Sequence, residues 1–281
     1  MISNSGKKIF FKVLILSWAC LYLLGIPKTV WATGNLQVHF FSVGYADAIL
    51  VQCDDFIMLI DAGESHQGSK IYQYLAKNKI RKIDTAIITH PHKNHFGGFQ
   101  VLLNKIKIGR VFTNGDTQAE TGYAQLLESF HTQNIPLETL RHGSRLSALP
   151  EGLQVEVLHP REVSDNANDN SLVLWLTFGQ TSFLLTADIG PEQQDHLIRE
   201  KKFLKGATVV QIPHHGGPLS PQWGIFFNEP LFVISTGKNP WGLPQKDDLK
   251  NLNGPLYRTD RDGNIIFKSD GRKITVFKNA P

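Results

Sequence analysis

The decamer Thr89-His90-Pro91-His92-Lys93-Asn94-His95-Phe96-Gly97-Gly98 constrains this chain more than any other stretch. Three imidazoles follow the apolar run Ala86-Ile87-Ile88 and precede a Gly-Gly pair that opens a helix-like segment, so the pattern predicts a strand-to-helix loop. Loops of this kind carry the chemistry of α/β folds. His90 and His92 are two apart and share one side of an extended segment, and His95 swings back toward them as the chain turns into the helix. Neutral imidazole suits zinc and its neighbours, and three converging rings nearly complete a tetrahedral site. Scattered surface histidines do not cluster this way.

The rest of the chain reads as strands and helices around that loop. Leu36 to Val43, Ala48 to Cys53 and Phe56 to Asp61 are β-rich, with Asp54-Asp55 as a hairpin turn, and a helix is expected from Ser69 to Lys79. Asp84 to Thr89 is the strand that delivers the histidines. A helix after Gly98, a strand at Arg110 to Thr113, a helix at Tyr123 to Gln133 and a strand at Leu153 to His159 complete the first half. The second half begins with a hairpin, Asn170 to Phe178 with Ser182 to Ala187, and a helix from Pro191 to Glu200 with proline in its first turn. A strand at Ala207 to Ile212 runs into Pro213-His214-His215-Gly216-Gly217. A helix near Pro221 to Phe227, a strand at Leu231 to Ser235 and a terminal pair, Asn264 to Lys268 and Lys273 to Phe277, follow.

Residues 1–32 read as a secretory signal peptide. Lys7, Lys8 and Lys12 precede the apolar stretch from Val13 to Ile26, and Val30-Trp31-Ala32 is a small-residue cleavage pattern. That stretch has fourteen residues, against roughly 20 for a bilayer span; an uncleaved anchor through residues 13–26 is the alternative. Ser17, three before Cys20, does not fit a lipobox, and cleavage after Ala32 leaves Cys53 alone, without a partner for an internal disulfide. Four of the 29 basic residues lie in the leader and no acidic ones do, so residues 33–281 hold 25 basic and 25 acidic residues. Net charge therefore gives no argument for nucleic-acid binding; clusters such as Lys77, Lys79, Arg81 and Lys82 are read as solvated faces.

The histidine run resembles the His-x-His-x-Asp-His motif of the metallo-β-lactamase fold, with Asn94 standing where the motif has Asp. The resemblance extends through Ser42-Val43-Gly44-Tyr45-Ala46-Asp47-Ala48, Leu59-Ile60-Asp61-Ala62-Gly63, Asn170-Ser171-Leu172, Leu184 to Asp188, Pro213 to Gly216, Ile234 to Gly237 and Tyr257 to Asp260. These segments occur in the order seen in the metallo-β-lactamase domain of ComEC-type competence channels, over nearly all of residues 36–278. It implies an α/β (α+β) fold, a four-layer αββα sandwich with its site along one edge. It also implies a ligand set of His90, His92, His95, Asp188 and His214 for one or two zinc or manganese ions. His214 is favoured over His215 as ligand, the two being interchangeable in sequence. Asn94, His215 and Asp61 are the catalytic candidates: Asn94 at the second metal position, His215 at the leaving group, and Asp61 orienting a ligand histidine.

Departures shape the functional expectation. One family Asp is missing from the Ser42 to Ala48 segment, Leu243 stands where the family has a histidine, and Asn166, Asn168, Asp169 and Asn170 occupy the zone of the middle histidine ligand. The expected activity is an exported, secreted or periplasmic, metal-dependent hydrolase, phosphodiesterase- or nuclease-like, acting on a phosphodiester or single-stranded DNA. The alternative is a catalytically weakened module that binds DNA or a partner.

Overall fold

The computed structural model describes residues 34–117 and 120–279. The signal peptide, the alternative anchor, Cys20 and the cleavage position lie outside the described residues. Among the described residues no helix is long and apolar enough to cross a membrane.

Three short strands open the fold: β1 (Leu36–Phe40), β2 (Ile49–Cys53) and β3 (Phe56–Ile60), paired antiparallel. Asp54 makes the hairpin turn with φ of 51°, a left-handed conformation that Asp tolerates better than most residues. Next come β4 (Lys82–Ile83), β5 (Thr85–Ile88), β6 (Lys107–Ile108), β7 (Val111–Thr113) and β8 (Leu137–Thr139). The second series is β9 (Leu153–His159), β10 (Val173–Phe178), β11 (Thr181–Leu185), β12 (Val209–Gln211), β13 (Leu231–Ile234), β14 (Leu256–Arg258), β15 (Asn264–Ser269) and β16 (Ile274–Asn279). They assemble into an eight-stranded sheet, ordered β16-β15-β1-β2-β3-β5-β7-β8, and a six-stranded sheet, ordered β14-β13-β12-β11-β10-β9; β4 and β6 pair separately.

Period-two alternation builds the layers. Val51, Met58, Ile60 and Ile87 of the larger sheet pack with Leu174, Leu176, Phe183, Leu185, Val209 and Val233 of the smaller one, forming a core between the sheets. Their neighbours Leu50, Leu59, Ala86 and Ile88 face the other way. There they meet Ile71 and Leu75 of helix α1 (Gly68–Lys77), Phe96 of α2 (Lys93–Phe96), Phe99 and Leu102 of α3 (Phe99–Leu102), and Leu126 and Phe130 of α4 (Tyr123–Thr132). On the smaller sheet Leu184, Val210, Phe232 and Ile234 meet Leu197 and Ile198 of α5 (Pro191–Glu200) and Trp223 of α6 (Trp223–Phe226). The result is the four-layer αββα sandwich. Each such buried side chain contributes about 1.5–3 kcal/mol relative to exposure. Phe267 joins the sheets, its ring edge-on to Phe40 of one and Phe183 of the other at 5.8 and 6.3 Å.

The two halves of the chain exchange strands between the sheets. β15 and β16 belong to the first sheet, with β15 antiparallel to β1, and β9 belongs to the second beside β10. The expected strand from Asn170 starts at Val173, because residues 168–170 form a 3₁₀ turn. Cys53 is buried and free.

Candidate metal centre

The site sits at the carboxyl ends of parallel strands. β3 runs alongside β5, and β11, β12 and β13 run alongside one another, so the loops that follow them open at one edge. β3 delivers Asp61, β5 delivers His90, β11 leads to Asp188, β12 to His214 and His215, and β13 to Ser235. Three of these turns hold non-glycine residues in the left-handed region: Asp61 (φ 55°), Ala187 (φ 46°), and the adjacent His214 (φ 51°) and His215 (φ 56°). Strain of about 1–3 kcal/mol at such a residue persists only where surrounding contacts over-determine it, and functional sites are where it gathers. Gly98 is demanded locally, since a Cβ there would lie 2.0 Å from the Ala62 carbonyl oxygen. That close approach lets the Ala62 N–H reach the His95 carbonyl (2.7 Å) and docks the histidine loop on the Asp61 turn.

Hydrogen bonds fix which ring nitrogen each buried histidine presents. Asp61 accepts from the Thr89 N–H (2.8 Å), the Thr89 hydroxyl (2.7 Å) and His95 Nδ1 (2.8 Å). Because the Thr89 hydroxyl donates to Asp61, its oxygen is left to accept from His90 Nδ1 at 3.2 Å, with Ser171 Oγ a further 3.3 Å contact of the same nitrogen. His215 Nδ1 donates to the Ser235 carbonyl at 3.0 Å. With every Nδ1 so engaged, the Nε2 atoms of His90, His95 and His215 point at one oxygen, Asp188 Oδ2, at 3.8, 3.2 and 3.5 Å. His214 Nε2 lies 3.8 Å from the same oxygen. His92 joins through Nδ1, 3.0 Å from His90 Nε2.

A buried carboxylate ringed by imidazole lone pairs requires positive charge. The pKa directions express this. Burial raises the Asp188 carboxyl, but His215 and His95 outweigh it and hold it well below the usual range. Burial lowers His95, yet Asp188 and Asp61 carry it well above an ordinary imidazole. His90, His92 and His214 are all lowered, chiefly by burial. Three buried atoms in the cluster, His95 Nε2, Asp188 Oδ1 and Asp47 Oδ1, have no hydrogen-bond partner. Nitrogen and carboxylate donors that converge without satisfying one another fit a divalent cation. His90, His95 and Asp188 form one compact donor group, and Asp47, Asp188 and His215 another.

Every residue expected from the sequence converges here. His90, His95, Asp188, Asp61 and His215 are buried, whereas His92, Asn94 and His214 face a cleft of about 550 Å³ shared with Tyr45, Glu64, Lys93, Glu120, Asn168, Trp241 and Leu243. Sequence reasoning left Asp47 without a role. It is buried, its Oδ2 accepts from Gln211 Nε2 at 2.9 Å, and burial raises its pKa against partial opposition from His215 and His95. The signal was the single Asp kept in the Ser42 to Ala48 segment. Asn170 faces away from the donors, holding Asp116 at 2.7 Å and fastening the loop to Ser164.

Residues 42–240 match the Metallo-beta-lactamase superfamily. The chain belongs to that superfamily. Among curated relatives, this metallo-β-lactamase-fold chain is 28% identical to ComE operon protein 3 of Bacillus subtilis over 223 residues, 76% of this chain and 28% of that protein. It is 25% identical to competence protein ComA of Neisseria gonorrhoeae over 264 residues, 89% of this chain and 35% of that protein. The chain thus spans about a third of the length of these relatives. Among solved structures, the metallo-β-lactamase fold protein YhfI of B. subtilis superposes with a TM-score of 0.57 at 13% identity, over 83% of this chain and 100% of that one. CmlA, a diiron β-hydroxylase of Streptomyces venezuelae, gives 0.53 at 12% identity over 88% and 55%. One fold carrying both names shows that chemistry must be argued from the donors.

Proposed function

We propose that the chain is a metal-dependent phosphodiesterase, nuclease-like in substrate, acting outside the cytoplasm after removal of residues 1–32. The observation that carries the reading is the convergence of histidine Nε2 atoms on Asp188 with their Nδ1 atoms engaged elsewhere. His90, His92, His214 and Asp188, on the cleft side, would hold one ion of zinc or manganese. His95, His215, Asp188 and Asp47 would bound a second position beside Asn94. A divalent ion held there would supply Lewis acidity toward a phosphoryl oxygen and would lower the pKa of water toward about 7. The chain's own residues set the stage: Asp61 keeps the His95 Nε2 lone pair directed inward, Ser235 does the same for His215, and His214, half-exposed at the cleft, turns its Nε2 toward Asp188 as a ligand. Similarity to competence proteins supports a phosphodiester such as single-stranded DNA as substrate.

Asn94 weakens the second position. Its Nδ2 lies 2.9 Å from His215 Nε2, and since His215 Nδ1 already donates to Ser235, the amide N–H donates to the Nε2 lone pair. An aspartate has no proton to give there and would instead offer a charged ligand. This hydrogen bond favours one tightly held metal. It also supports the second reading, a module that binds DNA or a partner with reduced chemistry. Hydrolysis of bis(p-nitrophenyl) phosphate by chelator-stripped protein, with zinc or manganese returned, separates the two. Metal-restored turnover that Asp188→Ala abolishes supports the phosphodiesterase, and no turnover with metal bound supports the binding module.

A further inference from the structure

Trp241 is 65% exposed, more than any other large apolar side chain among the described residues, and it lines the cleft beside the donor cluster. A single exposed tryptophan is ordinary on a protein surface; this one is built into an array. Its ring centroid lies 4.7 Å from that of Tyr45 at an interplanar angle of 36°, and Tyr45 lies 4.3 Å from His215. The three rings step from solvent to the buried imidazole next to Asp188.

The loop that presents Trp241 is held in place. Asn239 Oδ1 accepts from the N–H groups of Trp241 (3.1 Å) and Leu243 (3.0 Å), while its Nδ2 donates to the carbonyls of Gly237 (2.9 Å) and Leu243 (2.7 Å). One amide thus closes the loop on itself. The loop is also tied to the histidine-bearing turn, through the Gln245 N–H on the Gly216 carbonyl at 2.9 Å. An aromatic face kept exposed on a braced loop is preorganised to receive another flat ring.

Charge at the cleft narrows the ligand. Lys93 is accompanied by Glu64 and Glu120, so the wall does not track a long polyanion by electrostatics alone. Affinity has to come from the ring. We propose that Trp241, backed by Tyr45, is the stacking platform for the nucleobase adjoining the phosphodiester that His90, His92, His214 and Asp188 address. The proposal rests on the phosphodiesterase reading for its substrate class, and its test does not require turnover.

The test compares a short single-stranded thymidine oligonucleotide with an abasic sugar-phosphate strand of the same length and charge, each end-labelled with a fluorophore and titrated with the protein, binding being read from the label's anisotropy in every variant and, in the parent, from tryptophan emission as well. The other tryptophans of the mature chain lie elsewhere, Trp223 fully buried and Trp175 against Phe203. The base-bearing strand should bind more tightly and quench emission. Trp241→Ala should weaken it roughly 5- to 150-fold, the span of base–aromatic stacks removed by truncation. The same variant should leave abasic binding unchanged, and Trp241→Phe should retain most of the preference. Equal binding of both strands by the parent, binding of neither, or an equal loss for both in Trp241→Ala overturns the platform. Base-dependent binding in a protein that hydrolyses no phosphodiester supports the platform and overturns the phosphodiesterase instead.

Discussion

Asp61→Asn isolates the histidine-orienting network from the donors themselves. In the parent, the two Asp61 oxygens accept three hydrogen bonds, from the Thr89 N–H, the Thr89 hydroxyl and His95 Nδ1. An amide of the same shape has one acceptor oxygen. If that oxygen serves the Thr89 N–H, the NH₂ faces His95 Nδ1, which must then give up its proton and move it to Nε2, the atom aimed at Asp188. If the amide turns the other way, its NH₂ meets the Thr89 N–H, and a buried donor is left unsatisfied at about 1–3 kcal/mol. The first arrangement spoils His95 as an inward donor, and the second leaves its Nδ1 on a neutral oxygen that lowers the basicity of Nε2; neither empties the pocket. Metal affinity should fall roughly 10- to 100-fold, the range for groups that orient a ligand, while the folded state loses no more than about 3 kcal/mol. Competition against a chelator of known affinity reads the first quantity and urea denaturation the second. Unchanged metal affinity in a folded Asp61→Asn protein would refute the tautomer argument.

Three further outcomes are expected. Asn94→Asp should raise metal stoichiometry from about one toward two and increase any phosphodiesterase rate, because it removes the donor on His215 Nε2 and adds a first-contact carboxylate; no change in either quantity would show that Asn94 is no lesion. His39 is buried between the rings of Phe41 and Tyr74, and burial, partly offset by Asn264, pushes its pKa down to about 4. The unfolded chain therefore takes up the proton first, and stability present above pH 6.5 is lost as pH falls toward 4, by about 2 kcal/mol between pH 7 and 5. His39→Phe should lose about that much less over the same interval in urea unfolding, and an identical pH slope would contradict the assignment. Intact-mass measurement on protein from the native host should show a chain starting at Thr33, and a mass retaining Met1 to Ala32 would support the anchor.

Local information made much of this legible. The histidine loop could be placed because strand, ligands and Gly-Gly follow one another directly, and the face each strand residue takes follows from alternation alone. Alternation does not name the neighbouring strand, so the sequence leaves open which sheet β15 and β16 join; in the structure β15 lies beside β1, with Phe267 reaching Phe40 and Phe183 across the core. The two-residue strands β4 and β6 are too short to carry a period. Asp47 escaped for a related reason. A lone carboxylate after Gly44 reads as a turn residue until Gln211, separated from it by 164 positions, is seen to hold it against the donors. The order of His214 and His215 was likewise open in sequence, and it took the Ser235 contact to show His215 as the inward ring.

Metal content bears most directly on the central claim, that His90, His95, His214 and His215 are gathered on Asp188, with His92 against His90, to hold a cation. Equilibrium dialysis of the mature chain against zinc or manganese, followed by elemental analysis, should give stoichiometric metal in the parent and none retained by Asp188→Ala, whose loss removes the oxygen on which the imidazoles converge. Equal metal content in the two proteins, or none in either, would contradict the account.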